Sequence, residues 1–179
     1  MRIRSEYIVE FSGLKNGSHT YDWTLGDAFF DGFNRDGFQQ SNLQIACRMD
    51  KDETMLVFHL SIDGVLNFDC DRCLTPFTYR LKGNKTLVFK LNGSANEEED
   101  EDLFVLDDSE YQIDMASHLN DLVQILLPMK RLCQMNEGKP LACDPEMLAK
   151  LEAYSTSAEE PEHIDPRWEK LQQLKSDDN

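Results

Sequence analysis

Three long stretches of this chain alternate apolar and polar residues, and only short polar segments separate them. Apolar side chains recur at nearly every second position in residues 43–49, 56–70 and 77–91. A period of two residues predicts β-strands with one buried face. Connections this short cannot make the crossover that parallel strands need, so we expect a largely antiparallel sheet.

Two glycines interrupt these stretches. Gly83-Asn84 lies between two alternating runs, which is a hairpin signal, so the sequence predicts a turn there. Gly64 falls on the inward parity of the second stretch, where an isolated glycine often marks a bulge or a bend. Residues 3–11 alternate in the same way and predict a further strand, and residues 27–30 can form one helical turn.

The period changes after Asp114. Apolar residues then recur at i, i+3, i+4 and i+7 as far as Leu127, which predicts an amphipathic helix that Pro128 ends. Asp165-Pro166 is an N-cap followed by proline, and it predicts a C-terminal helix with Trp168 on its apolar side. We therefore expect an α+β fold: a largely antiparallel β-sheet or partly closed barrel, one packed amphipathic helix and a C-terminal helical arm.

The 179 residues suffice for one domain with a real core. We expect a single β-rich domain over residues 1–150, with a disordered acidic insertion near residues 95–102. An acidic linker and a short C-terminal helix should follow over residues 151–179. Residues 97–102 are all Glu or Asp, a composition that cannot pack into a core.

The net charge of −16 is unevenly distributed. Residues 97–110 hold nine acids and no base, and residues 151–179 hold eight acids against three bases. The remainder is close to neutral, and its segment 72–96 contains bases but no acid. These bases are candidates for RNA contact, because phosphate binding depends on Lys and Arg. They are Arg72, Arg80, Lys82, Lys85 and Lys90, joined by Lys130, Arg131 and Lys139 if the two cysteine pairs converge, with Tyr79 as a stacking residue.

Other interpretations of the same charges stay open. A solvated strand face explains the bases without any RNA. The acidic segment can mask a basic partner, since opposite charges speed association, or it can simply keep the chain soluble.

Five cysteines in such a chain suggest thiolates for a metal or for redox chemistry more than a disulfide framework. Cys70 and Cys73 form a C-x-x-C pair, and Cys133 and Cys143 form a wider one. Two such pairs can converge on one tetrahedral zinc ion, although the second loop would have to fold back, with Gly138 and Pro140 permitting it. Free thiols that lie near each other are the alternative, and redox function is disfavoured because no βαβ setting surrounds the C-x-x-C. We expect Cys47 to be a small core residue.

Several functional classes lack their signatures. The sequence has no apolar signal-peptide core and no stretch of the roughly 20 apolar residues that span a bilayer, so we expect a cytoplasmic protein without a membrane partner. G-x-S-x-G, Walker and H-E-x-x-H motifs are absent, and the four histidines are scattered. We therefore expect neither an enzyme nor a small-molecule substrate.

One order of motifs resembles a known family. Cys70-Asp-Arg-Cys73-Leu74 is followed by the basic stretch, the acidic run, the helix ending at Leu127-Pro128, the second cysteine pair and Ile164-Asp-Pro-Arg-Trp168. This order, over about Leu43 to Leu174, resembles the YceD-like large ribosomal RNA subunit accumulation proteins of the bacterial cytosol.

The resemblance implies a non-enzymatic role in accumulation of large-subunit ribosomal RNA. It leaves the direct partner, ribosomal RNA or a ribosomal protein, undecided. It also implies that Cys70, Cys73, Cys133 and Cys143 form a candidate metal cluster, with a structural zinc as the expected cofactor.

Overall fold

A computed structural model describes residues 5–33, 37–91, 103–107 and 109–155. The chain divides into two compact units, residues 1–144 and 145–179. The first unit contains β1 (Ile8–Glu10), β2 (Gly17–Gly26), α1 (Asp27–Phe30), β3 (Phe38–Lys51), β4 (Met55–Asp69), β5 (Pro76–Lys90), β6 (Leu103–Val105), β7 (Gln112–Asp114) and α2 (Ala116–Leu126), with 3-10 turns at Ser5–Tyr7 and Cys133–Met135. The second unit contains α3 (Pro145–Tyr154).

Strands β2 to β6 form one five-stranded sheet in sequence order. Neighbouring strands from β2 to β5 are antiparallel, whereas the short β6 runs parallel to the end of β5. A separate antiparallel pair joins β1 to β7. These pairings confirm the predicted α+β fold with a largely antiparallel sheet. Within the described ranges the sheet keeps β2 and β6 as edges, so it does not close into a barrel.

The predicted hairpin at Gly83-Asn84 is wrong. Strand β5 continues through both residues, which pair with Ile62 and Ser61 of β4. A Cβ atom on Gly83 would lie 2.6 Å from Cδ1 of Leu126 in α2. The close packing of the helix on the strand therefore explains Gly83. Strand β5 stays extended because pairing along the whole length of β4 gives more of its backbone N–H and C=O groups a hydrogen-bond partner.

Gly64 does not mark a register shift. Its pairing with Leu43 continues the β3–β4 ladder without interruption, and the irregularity lies between Phe38 and Gln40 instead. A Cβ atom on Gly64 would clash with the carbonyl oxygen of Asn42 and would lie 2.7 Å from Cα of Leu43. The glycine allows the two backbones to approach closely, so its role is steric.

One face of the sheet supplies the core, and the N-terminal residues complete it. Tyr7, Val9 and Phe11 are buried as the alternation predicted, although the first strand is only three residues long. The predicted helical turn at Asp27–Phe30 is confirmed, and it buries Phe29 and Phe30. The ring of Phe30 meets that of Phe38 edge to face at 4.8 Å. The inward residues of β3 and β4 that are at most 2% exposed are Leu43, Ile45, Met49, Leu56, Phe58, Leu60, Ile62, Leu66 and Phe68.

Helix α2 confirms the predicted amphipathic helix and buries Leu119, Leu122 and Val123. Leu127 is already extended, with φ −63° and ψ 138°, as expected for the residue before a proline. The predicted acidic insertion near residues 95–102 and the predicted helix after Asp165 lie outside the described residues. The single domain over residues 1–150 and the separate arm stay predictions.

Candidate metal centre

The first cysteine pair lies in a tight turn, residues 70–75, between β4 and β5; we call this turn the knuckle. The N–H of Leu74 donates to the carbonyl of Cys70 at 2.9 Å, and the N–H of Cys70 donates to the carbonyl of Thr75 at 3.0 Å. Leu74 has a φ of 59°, in the left-handed region that closes such turns. Cys70 and Cys73 are both buried.

The second pair belongs to the loop after α2. The carbonyl of Cys133 accepts hydrogen bonds from the N–H groups of Asn136 at 3.1 Å and Leu141 at 3.0 Å. Gly138, with a φ of 79°, makes the reversal between them. The loop therefore folds back, as the wide spacing required, and returns Cys143 to the neighbourhood of Cys133.

Main-chain hydrogen bonds hold the two loops together. The N–H of Asp71 donates to the carbonyl of Arg131 at 2.8 Å, and the N–H of Arg131 donates to the carboxylate of Asp71 at 2.7 Å. Further along, the N–H of Glu137 donates to the carbonyl of Thr78 at 2.6 Å. The guanidinium of Arg131 lies 4.9 Å from the centroid of the Phe68 ring, a cation–π contact.

These contacts bring all four sulfurs together. The Sγ atoms of Cys70, Cys73, Cys133 and Cys143 lie within 4.8 Å of one another. The Sγ atoms of Cys73 and Cys133 are 3.3 Å apart. A tetrahedral ion with metal–sulfur bonds of about 2.3 Å separates its sulfurs by about 3.8 Å, so the spacing fits one ion at the centre. Four close cysteines of this kind can hold a metal ion.

The surroundings of Cys70 and Cys73 lower the pKa of both thiols and so favour their thiolate forms. Burial raises the pKa of Cys70, but the N–H groups of Arg72, Cys73 and Cys133 outweigh it and leave the pKa lowered. The hydroxyl of Thr75, 3.2 Å from the sulfur, is the largest cause that lowers the pKa of Cys73 to about 6. Metal ligation requires thiolates, so these donors favour binding.

The other two sulfurs behave differently. Burial is the largest cause that raises the pKa of Cys133 and of Cys143. The neighbouring sulfurs add to the rise at Cys133, and at Cys143 those of Cys73 and Cys70 raise the pKa whereas that of Cys133 lowers it. A positive ion among the four would favour the thiolate at both positions. The fifth cysteine, Cys47, is buried in β3, and burial followed by the charge of Asp22 raises its pKa to about 12. The prediction that Cys47 is a core residue is confirmed.

The candidate RNA contacts of β5 do not share one face. Arg80 and Lys82 point away from the core, but Arg80 donates to both carboxylate oxygens of Asp63 at 2.9 and 3.0 Å and lies 3.3 Å from Glu137. Lys82 lies 3.9 Å from Asp63. Lys85 has the opposite parity and lines the groove between β5 and α2.

The remaining candidates are also dispersed. Lys90 has the outward parity of Lys82, at the end of β5. The ring of Tyr79 lies 6.0 Å from that of Phe68. Arg72, Lys130 and Lys139 are exposed, and the first two lie where the two cysteine loops meet. Contact of any of these residues with RNA stays a prediction.

A family model described as "Large ribosomal RNA subunit accumulation protein YceD" matches residues 58–175, well over half of the chain. The chain belongs to the YceD family. The matched region contains the four cysteines of the candidate centre, β5 and α2, and it confirms the resemblance carried by the motif order. The YceD description connects the chain with large-subunit ribosomal RNA. No curated protein and no solved structure matches the chain.

Several residues of this YceD-family site were not predicted. Asp71 joins the loops, Thr75 hydrogen-bonds with the sulfur of Cys73, and Leu74 adopts a positive φ. Their closeness to the C-x-x-C was the only sequence signal.

Helix α3 was also missed, although Asp144-Pro145 has the same start signal that was assigned at Asp165-Pro166. No helix within the described residues is long and apolar enough to cross a membrane.

Proposed function

We propose that this protein is a non-enzymatic factor in production of the large ribosomal subunit, which binds and masks a basic ribosomal protein. The family description supports the ribosomal connection. The charge balance favours a basic protein as the partner, because the chain has 34 acidic and only 18 basic residues. An acidic surface attracts a basic protein over long range and repels the phosphates of RNA.

The outer face of the sheet supports this choice. Arg80 and Lys82 lie beside Asp63, and Arg48 lies 3.2 Å from the carboxylate of Asp50. Carboxylates within reach neutralise much of the positive charge that phosphate binding needs. The face is therefore a weak candidate for RNA, and the acidic run at residues 97–102 is the stronger contact for a basic partner.

We assign a zinc ion to Cys70, Cys73, Cys133 and Cys143, with a structural role. Four cysteine ligands fill a tetrahedral site and leave no position for a substrate or an activated water. When bound, the ion cross-links the knuckle to the loop after α2. The hydrogen bonds between Asp71 and Arg131 orient the two loops for it.

The surroundings of the histidines also support a role without catalysis. His19 contacts the carbonyl of Lys15, and His59 lies between Thr86 and Asp50. His118 is enclosed by two phenylalanine rings, at 5.3 and 4.7 Å. Each of these imidazoles has a structural contact of its own. We expect the protein to act in the cytoplasm, without a small-molecule substrate.

The test is a pull-down of tagged protein from growing cells, repeated after nuclease treatment, with ribosomal proteins and RNA both identified. We expect a basic large-subunit protein to remain bound after nuclease, because the attraction is to the protein. Replacing the acids at residues 97–102 by Gln and Asn should abolish this recovery. A control with the same six acids in shuffled order should retain it. Loss of every ribosomal protein on nuclease treatment would reject the masking role.

A further inference from the structure

Leu74 has a backbone conformation that suits glycine. Its φ of 59° is the only positive φ of a non-glycine residue within the described ranges. A side chain in the left-handed region crowds the following carbonyl, and only glycine adopts the region without that cost. The turn between Cys70 and Thr75 therefore does not explain why a leucine is present.

Packing does not explain it either. Leu74 is 64% exposed, so most of its side chain gains nothing from burial in the fold. Backbone strain together with an exposed apolar side chain, on a turn fixed by hydrogen bonds, points to a contact outside the chain.

Two exposed bases belong to the same pair of loops as this leucine. The hydrogen bonds between Asp71 and Arg131 place the adjacent residues Arg72 and Lys130 near each other, and both are exposed. In the part of the chain that the structure describes, no carboxylate forms an ion pair with either. Met129, next to Lys130, is fully exposed.

This arrangement differs from the rest of the basic surface. Arg80 and Lys82, the other outward bases near the centre, share Asp63, whereas the carboxylate of Asp71 accepts the N–H of Arg131 and forms no ion pair with Arg72 or Lys130 within the described residues. We define the knuckle tip as Arg72, Leu74, Met129 and Lys130. It consists of two exposed cations and two exposed apolar side chains on the knuckle and on the loop that hydrogen-bonds to it.

We propose that the knuckle tip is a contact surface for large-subunit ribosomal RNA, separate from the acidic contact with a ribosomal protein. Arg72 and Lys130 bind phosphates, while Leu74 packs against a base or a ribose. RNA is favoured over a basic ribosomal protein at this surface because the exposed cations Arg72 and Lys130 attract phosphates and repel other cations. A polyanion is attracted to the tip and repelled elsewhere, which orients the encounter.

The test uses full-length, metal-loaded protein and large-subunit ribosomal RNA transcribed in vitro. The double variant Arg72→Glu and Lys130→Glu should weaken binding at least 10-fold at moderate salt. It should also reduce the slope of log K against log salt by roughly 1.4, since each phosphate contact contributes about 0.7 on single strands. The control Lys15→Glu and Lys82→Glu changes the net charge equally and should weaken binding less than 3-fold.

Leu74→Gly separates recognition from folding. We expect RNA binding to fall several-fold while zinc content and the unfolding midpoint are retained, because glycine fits the turn. Unchanged RNA binding in both tip variants would overturn the proposal, and so would equal losses in the tip and control double variants. A ribosomal protein bound by wild type, and lost in the tip variants while RNA binding persists, would assign the tip to protein instead. The masking role is judged separately, by the acidic replacement.

Discussion

Leu74→Gly and Leu74→Ala should reverse the usual order of these two residues in stability. Left-handed backbone costs a non-glycine residue roughly 1–2 kcal/mol, which the glycine variant recovers. Leu74 is 64% exposed. The third of it that is buried contributes about 0.5–1 kcal/mol, out of about 1.5–3 kcal/mol for a fully buried leucine. Both variants lose that part.

Glycine also has more conformational entropy than alanine in the unfolded chain, which lowers the free energy of unfolding by about 0.4–1 kcal/mol relative to alanine. Leu74→Gly should therefore unfold with a free energy close to that of wild type. Leu74→Ala keeps the strain and should lose about 0.5–1 kcal/mol. The glycine variant should thus be more stable than the alanine variant by roughly 0.5–1 kcal/mol, equivalent to about 1–4 °C for a chain of this size.

Urea unfolding of the zinc-loaded variants, followed by circular dichroism, measures this difference. Equal slopes against urea are required, so that the midpoints report stability alone. An alanine variant as stable as the glycine variant would refute the left-handed conformation of Leu74, and with it the strain on which the knuckle-tip contact depends.

Three further predictions follow from the core and the metal centre. Gly64→Ala should lower the free energy of unfolding by roughly 1–3 kcal/mol, because the added Cβ meets backbone atoms of β3. The control Gly32→Ala, with open space at its Cβ, should change it by less than about 0.5 kcal/mol. Equal midpoints of the two variants in thermal unfolding would contradict the close approach at Gly64. Metal analysis should find about one zinc per chain, and a strong chelator or Cys143→Ser should lower the urea midpoint, whereas an unchanged midpoint would exclude a structural ion. Burial lowers the pKa of His118, so below about pH 6.5 the imidazole binds a proton more readily in the unfolded chain than in the folded chain. Between pH 7 and 5 the free energy of unfolding of wild type should therefore fall more than that of His118→Phe. Parallel falls in the two proteins would contradict the burial.

The sheet was predictable because its period is local. Alternation along residues 43–49 and 56–70 gave the buried faces of β3 and β4 correctly. The prediction of a turn at Gly83-Asn84 was wrong because a dipeptide preference contains no information on distant contacts. Here the contact is with helix α2, which packs on Gly83 although Leu126 is 43 residues later in the sequence. Leu126 requires the glycine, and the length of β4 keeps the strand straight.

The sequence predicted which four cysteines come together, but it did not predict their surroundings. Cysteine spacing and the order of motifs indicated the four sulfurs and the family. The ion pairing of the basic residues depends on strand register, which sets Lys82 directly opposite Asp63 and Arg80 beside it. The left-handed conformation of Leu74 has no sequence signal of its own, because leucine is not a residue that predicts it.

The ligand spacing also sets an order of events during synthesis. Cys73 and Cys133 are 60 residues apart, and the last ligand is Cys143. Strands β3, β4 and β5 can pair as soon as they leave the ribosome, since short turns connect them. The four-sulfur site, in contrast, is incomplete until Cys143 has emerged. Capture of the proposed ion would therefore be a late step, following formation of the sheet.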